Sequence, residues 1–223
     1  MDVVFALDYS SSVSQEEFQK ELNFVKQLAE VWTCASREGF VHVKGLVVYG
    51  RSAKTVPSNP DGTLFSKQLS EPRSKIWRDT KTRRMDLGLI EAAGHFTASS
   101  SQHQLVVLVT TGKQISNAEN KDDDQDQDLL VSASKELSSR NVKIVIVPVG
   151  LETDFRELGL IVKRPQSLYP LYSFDDMTPD VAQNIASNIM STSGKSDFQF
   201  VLFCEVVINF LVFSLPEKKC IMV

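Results

Sequence analysis

The stretch that decides the fold is Val3-Val4-Phe5-Ala6-Leu7-Asp8-Tyr9-Ser10-Ser11-Ser12, near the start of the 223-residue chain. Residues 3–7 form a short, continuous apolar run, which is typical of a parallel strand buried on both faces. Polar residues follow as soon as the run ends. The pattern therefore predicts a central strand that leads directly into a polar loop.

Strand and helix patterns alternate along the rest of the chain. Apolar runs predict further strands at 41–49, 105–109 and 142–149, and a weak edge strand at 168–174 that Pro170 interrupts. Helical spacing of apolar residues predicts helices at 14–39, 86–96, 129–139, 154–162 and 178–191. Ser14 and Glu17 have the spacing of a capping box at the first helix. This alternation predicts an α/β fold of the Rossmann-like, doubly wound type, with a mostly parallel sheet and helices on both faces.

The chain divides into a domain at 1–192 and a tail at 193–223. The tail contains an apolar run at 198–215, which is close to the minimum length for a membrane-spanning helix. Glu205 and Asn209 lie inside this run, and a carboxylate at that depth disfavours insertion. The alternatives are an extra packed helix or strand, or a non-native end of the chain.

Composition excludes several functional classes. Hydrophobic residues make up 42% and charged residues 23% of the chain, as in ordinary globular proteins. The net charge of −4 does not fit a nucleic-acid-binding protein, which would carry a basic stripe. The three cysteines form no CxxC pair or Cys/His cluster, so we expect no zinc site.

Enzyme signatures are also missing from the sequence. There is no GxGxxG or GxxxxGK phosphate loop. The three histidines, His42, His95 and His103, have no recognisable spacing to a nucleophile. We therefore expect a protein that is not an enzyme.

An acidic segment at 119–128 superficially resembles a calcium-binding loop. An EF-hand loop that starts at Asp122 would need Gly at its sixth and Glu at its twelfth position, where the chain has Gln127 and Ala133. We therefore expect a solvated acidic loop.

The polar loop after the first strand carries the best candidate site. In an extended turn, alternate residues point the same way, so Asp8, Ser10 and Ser12 can converge on one point. One carboxylate and two hydroxyls suit Mg²⁺, with Mn²⁺ or Ca²⁺ as alternatives. Because the protein would provide few negative charges, such a cation could still bind a carboxylate from a partner.

The segment from Val3 to Ser14, with its amphipathic helix, resembles the opening of the von Willebrand factor A family. The segments 80–93, 105–113 and 142–150 resemble later blocks of the same family, so the resemblance covers about residues 2–192. It implies a metal-ion-dependent adhesion site built from Asp-x-Ser-x-Ser, a threonine from a second loop and an aspartate from a third.

Carried onto this chain, the resemblance implies a metal site at Asp8, Ser10, Ser12, Thr82 and Thr111. The spacing to Gly88-Leu89 favours Thr82 as the second-loop ligand, with one extra residue against the usual pattern, and Thr80 is the fallback. Thr111 stands where the family has an aspartate, so one negative charge is lost near the cation. We expect weaker or conditional metal binding.

The resemblance implies an extracellular adhesion or matrix protein, closest in character to the A domains of matrilins and collagen VI. Its partner would be collagen, another matrix protein or a protein with an acidic side chain at the cation, and oligomerisation stays open. The chain lacks a signal peptide, so we expect a fragment of a secreted protein. The alternative is an intracellular scaffold that mediates protein–protein assembly in the cytoplasm.

Overall fold

The computed structural model describes residues 1–35, 41–56, 81–96, 103–115, 123–162 and 164–192, without the side chains of 33–35 and 123–124. Its strands are β1 (Asp2–Asp8), β2 (His42–Tyr49), β3 (Ala53–Val56), β4 (Gln104–Thr110) and β5 (Val142–Pro148). Its α-helices are α1 (Gln15–Ala35), α2 (Met85–Gly94), α3 (Asp123–Ser139), α4 (Phe155–Ile161) and α5 (Pro179–Thr192). Two short 3₁₀ helices lie at Pro165–Ser167 and Phe174–Asp176.

The described strands form one sheet in the order β3-β2-β1-β4-β5. β1 pairs in parallel with both β2 and β4, and β5 pairs in parallel with β4. Only the edge strand β3 is antiparallel among the described strands. The α/β, mostly parallel architecture predicted from the sequence is confirmed.

The central strand β1 connects two hydrophobic cores. All seven of its residues are buried, and alternate side chains point to opposite faces of the sheet. Phe5 packs with α1 and α5 on one face, where its ring stacks on Trp32 at a centroid distance of 6.1 Å. Val4 and Ala6 pack with α2 and α3 on the other face. The run at 3–7 is continuously apolar because both of its faces are covered.

Helix α1 begins with the capping box that its sequence predicts. The Glu17 backbone N–H donates to Ser14 Oγ at 3.2 Å, and the Ser14 N–H donates to Glu17 Oε2 at 2.7 Å. The two contacts satisfy backbone donors that a helix N-terminus leaves free. They fix the point at which the loop after β1 turns into α1.

Two predicted elements differ from the structure, and the structure has one strand that the sequence did not predict. Residues 168–174 form no strand but two isolated bridges, Ile146 to Leu168 and Val149 to Leu171, because Pro170 between them has no N–H to donate. The expectation of a solvated loop at 119–128 is wrong from Asp123 onward, where α3 has already begun, and Asp126 is buried. The antiparallel edge strand β3 was not predicted. The predicted tail, with its apolar run at 198–215, lies outside the described residues.

Candidate functional site

The candidate site lies at the carboxyl edge of the sheet, where parallel α/β folds bind ligands. β1 ends there at Asp8, and β4 ends there at Thr110. The segment that leads into α2 is joined to the loop after β4 by two backbone hydrogen bonds of 2.9 Å, in which Arg83 and Ile115 each donate to the other. Three separate parts of the chain therefore meet beside Asp8.

Asp8 is fully buried, and both of its carboxylate oxygens accept hydrogen bonds. Oδ1 accepts from the Ser10 backbone N–H at 2.9 Å. Oδ2 accepts from Thr111 Oγ1 at 2.8 Å and from Arg83 Nε at 2.7 Å. A buried carboxylate is costly unless it is paired and hydrogen-bonded, and here both conditions are met.

The positive partner of Asp8 is Arg83, which is only 6% exposed. Its Nη2 donates to Ser12 Oγ and, at 3.1 Å, to Thr111 Oγ1. Its Nη1 donates to the Lys113 carbonyl at 2.9 Å. The Arg83 guanidinium therefore lies in the middle of the polar groups at which the sequence predicts a metal ion.

Four of the five predicted metal ligands come together around this guanidinium. Asp8, Ser12 and Thr111 contact it directly, and Ser10 Oγ lies 2.6 Å from Ser12 Oγ. Thr82 is buried. In the described part of its segment, the side chain that contacts Asp8 belongs to the next residue, Arg83. The fallback Thr80 lies outside the described residues. Whether these residues bind a metal stays a prediction.

Arg83 is the site residue that sequence reasoning missed, although a signal for it was present. Thr82 lies one residue too far from Gly88-Leu89 for the usual second-loop spacing, and that spacing falls on position 83. A basic residue there, next to a third loop that has lost its carboxylate at Thr111, indicates that an arginine has joined the site.

A second buried carboxyl group, that of Glu21 on α1, interacts electrostatically with Asp8 and Arg83. Neither of its oxygens has a hydrogen-bond partner in the part of the chain that the structure describes. Burial raises the pKa of Glu21 well above its usual range, and the negative charge of Asp8 adds to this, while Arg83 opposes it. The neutral form of Glu21 is therefore favoured, and the principal charges of the site are those of Asp8 and Arg83.

A divalent cation does not fit these groups as they are arranged. Among the described residues, no cluster of three or more His, Cys, Asp or Glu side chains could hold a metal, so a cation here would depend on Asp8 and hydroxyls. Mg²⁺ requires oxygen ligands at about 2.1 Å in a near-octahedral arrangement. The Asp8 and Ser12 oxygens that would provide them already contact a positive guanidinium.

A separate polar cluster surrounds Gln114, beside the start of α4. Gln114 Oε1 accepts from the Asp86 N–H at 2.9 Å, and its Nε2 donates to the Asp126 carbonyl at 3.0 Å. Its own backbone N–H donates to Glu157 Oε2 at 2.9 Å. Burial raises the pKa of Glu157 to about 7. This cluster joins α2, α3 and α4 to the loop after β4.

The family model for the von Willebrand factor type A domain matches residues 2–188. The chain belongs to the von Willebrand factor type A family. A comparison with curated protein sequences gives no match.

Several solved structures resemble this domain. Proximal thread matrix protein 1 from the mussel byssus, solved with a zinc-occupied MIDAS (metal-ion-dependent adhesion site) motif, is 17% identical, with a TM-score of 0.64 over 84% of this chain. This chain spans 47% of that protein's length. BatB from Bacteroides thetaiotaomicron is 12% identical, with a TM-score of 0.58, and the match covers 86% of this chain and 98% of BatB. The pilus adhesin SpaC from Lactobacillus rhamnosus GG is 12% identical, with a TM-score of 0.58, over 85% of this chain and 30% of SpaC. These likenesses show a shared fold.

None of the helices in the described ranges is long and apolar enough to cross a membrane.

Proposed function

We propose that this von Willebrand factor type A domain is a non-enzymatic module that binds a matrix protein at the carboxyl edge of its sheet, outside the cell. The observation that carries the proposal is a pair of exposed apolar side chains at this edge. Leu151 is 85% exposed and Tyr172 is 82% exposed. Leu151 directly follows Gly150, and Tyr172 directly follows Leu171. The Gly150 N–H donates to the Leu171 carbonyl, so the two exposed residues follow backbone positions that are joined.

Exposed apolar residues next to buried polar groups are a feature of protein-binding surfaces. A lone exposed apolar side chain needs no explanation, but adjacent ones with a polar surround mark interaction sites. Tyrosine is enriched in such interfaces because its ring provides apolar contact while its hydroxyl stays hydrogen-bonded. Phe155, at the start of α4, is also partly exposed.

The polar groups of the candidate site support binding rather than catalysis. Ser10 Oγ contacts Ser12 Oγ, and Ser12 Oγ accepts from Arg83. An arginine stays protonated in proteins, so it cannot act as a general base for either hydroxyl. His95 contacts Thr55 Oγ1 at 2.9 Å on another part of the domain, between β3 and the end of α2.

The structural likeness to a byssus matrix protein and a pilus adhesin supports an extracellular setting for this domain. The ligand we propose is collagen or another matrix protein. The metal-assisted capture of an acidic side chain, which the sequence predicts, is not part of this proposal because Arg83 contacts the groups that would hold the cation.

Surface plasmon resonance on immobilised fibrillar collagen tests the proposal with the full chain. We expect saturable binding that a Leu151→Ser, Tyr172→Ser double variant weakens about tenfold or more, as loss of central interface residues does. The matched control is Ile90→Ser, which removes a 44% exposed apolar side chain in the middle of α2. An absence of collagen binding by the wild-type chain would refute collagen as the ligand, and equal losses in both variants would refute this binding surface.

A further inference from the structure

The chain carries its own positive charge at the position where its family holds a divalent metal. Asp8 needs a cation because it is fully buried and ionised carboxylates are not left unpaired in protein interiors. The Arg83 Nε–H meets that need at 2.7 Å. We propose that Arg83 is the resident cation of this site, and that the domain keeps its carboxyl-edge loops in place without a divalent metal.

The Arg83 side chain contacts three of the five residues that the sequence predicts as metal ligands. One guanidinium joins the carboxylate of the first loop, through Asp8, to the hydroxyl of Ser12 and to the third loop at Thr111. A fourth contact, from Nη1 to the Lys113 carbonyl, reaches further along the third loop. The planar, forked arrangement of the guanidinium donors allows one side chain to link several oxygens at fixed angles.

Backbone hydrogen bonds fix the position of Arg83. Its side chain therefore starts from a defined point, unlike a long side chain on a mobile surface segment. Its N–H and carbonyl both pair with Ile115 at 2.9 Å, and the next residue, Arg84, donates its N–H to the Gly50 carbonyl at 2.9 Å. The third loop leaves room for the guanidinium at Gly112, where a Cβ atom would lie 2.5 Å from Arg83 Nη1. The loops are therefore shaped around the arginine.

Thr111 is suited to an arginine-centred site in a way that an aspartate would not be. Its hydroxyl donates to Asp8 Oδ2 at 2.8 Å and accepts from Arg83 Nη2 at 3.1 Å. An ionised aspartate has no proton to donate, so it would place a second negative charge against Asp8. The two residues are therefore complementary. Thr111 removes the negative charge of the family's aspartate, and Arg83 provides the positive charge that a metal would have provided.

Manganese binding by the full chain tests this proposal, because free Mn²⁺ is measured directly by electron paramagnetic resonance. At about 1 mM Mn²⁺, the weak end of the range for extracellular cation modules, we expect no Asp8-dependent binding. We also expect the same melting temperature in Mn²⁺ and in EDTA. Stoichiometric Mn²⁺ binding by the wild-type chain that an Asp8→Asn variant loses would overturn the proposal.

A second arm asks whether the arginine is what replaces the metal. An Arg83→Ser, Thr111→Asp double variant provides a second carboxylate and an extra hydroxyl, and we expect it to bind Mn²⁺ at about 1 mM, where the wild type does not. Its melting temperature should rise when Mn²⁺ replaces EDTA. Thr111→Asp alone, which keeps the arginine, is the matched control and should not gain Mn²⁺ binding. The proposal is overturned if the control gains binding as strong as the double variant, or if the double variant gains neither binding nor Mn²⁺-dependent folding.

Discussion

Glu157 gives the domain a pH-dependent stability whose size follows from the structure. Its side chain is in the first turn of α4, and the residue is 3% exposed. Burial raises its pKa from 4.5 to about 7, and the nearby carboxylates of Asp154 and Asp126 add to the rise. The Gln114 N–H and the Lys113 ammonium oppose it.

The raised pKa makes folding favour the protonated form of Glu157. Between pH 4.5 and about 7, the folded chain holds this proton while the unfolded chain loses it. Stability from this group is therefore fully present below pH 4.5, declines as the pH rises toward about 7 and is constant above that. A difference of this size in pKa corresponds to roughly 3 kcal/mol in the free energy of unfolding.

Glu157→Gln removes the titration and keeps the hydrogen bond, because an amide carbonyl can still accept from the Gln114 N–H. We expect the variant and the wild type to be equally stable near pH 4.5, and the variant to be more stable by roughly 2–3 kcal/mol near pH 8. Urea unfolding at both pH values, followed by tryptophan fluorescence, to which the buried Trp32 contributes, measures the difference.

The control is Glu136→Gln, a carboxylate on the exposed part of α3 that pairs with Arg140. It should change little between the two pH values, because solvent screens an exposed ion pair. If Glu157→Gln changes stability equally at both pH values, or destabilises the domain at the higher one, the assignment of a raised pKa to this carboxyl is wrong.

Two further substitutions test the packing around the site. Glu21→Met removes a buried carboxyl group that has no hydrogen-bond partners among the described residues. It should therefore raise the free energy of unfolding by about 1–3 kcal/mol in urea titrations. A loss of stability would show that the carboxyl has a structural role. Gly88→Ala would place a Cβ atom 2.8 Å from Tyr49 Cδ1, between α2 and β2. It should therefore lower the free energy of unfolding by about 1–3 kcal/mol. An unchanged melting temperature would mean that the helix can shift without cost.

The fold was predictable because burial imposes a simple pattern on the central strands. β1, β4 and β5 are covered on both faces, so their sequences are almost continuously apolar and their order along the chain is easily recognised. The edge strand β3 has four residues, none of them fully buried, and so it has no such pattern. It forms because β2 offers it an open edge, which is a tertiary effect.

The first turn of α3 was missed for a different reason. Its run of acidic residues is typical of a solvated loop when composition alone is considered. The same residues are favourable at a helix N-terminus, where they complement the positive end of the helix dipole. The choice between loop and helix depends on the packing of Leu130, Ala133 and Leu137 against the sheet, which composition does not reveal.

The candidate site was predictable in its location and not in its central residue. The sequence places Asp8, Ser10 and Ser12 at the end of a strand, and the family pattern adds position 111. It does not show which side chain of the second loop points inward, because an offset of one residue exchanges Thr82 for Arg83. The two backbone hydrogen bonds between Arg83 and Ile115 decide that register, and they join segments that are distant in the sequence.

The charge at this site determines how the domain can hold a ligand. A divalent cation beside Asp8 would leave one net positive charge and an open coordination position for an acidic side chain. A guanidinium beside Asp8 leaves no net charge, and four of the five N–H groups of an arginine are already used inside the protein, on Asp8, Ser12, Thr111 and the Lys113 carbonyl. The site therefore holds three loops together but offers little attraction to a partner's carboxylate. For the proposed function, we therefore expect ligand binding at this edge to depend on the exposed apolar side chains of Leu151 and Tyr172 and to be insensitive to chelators.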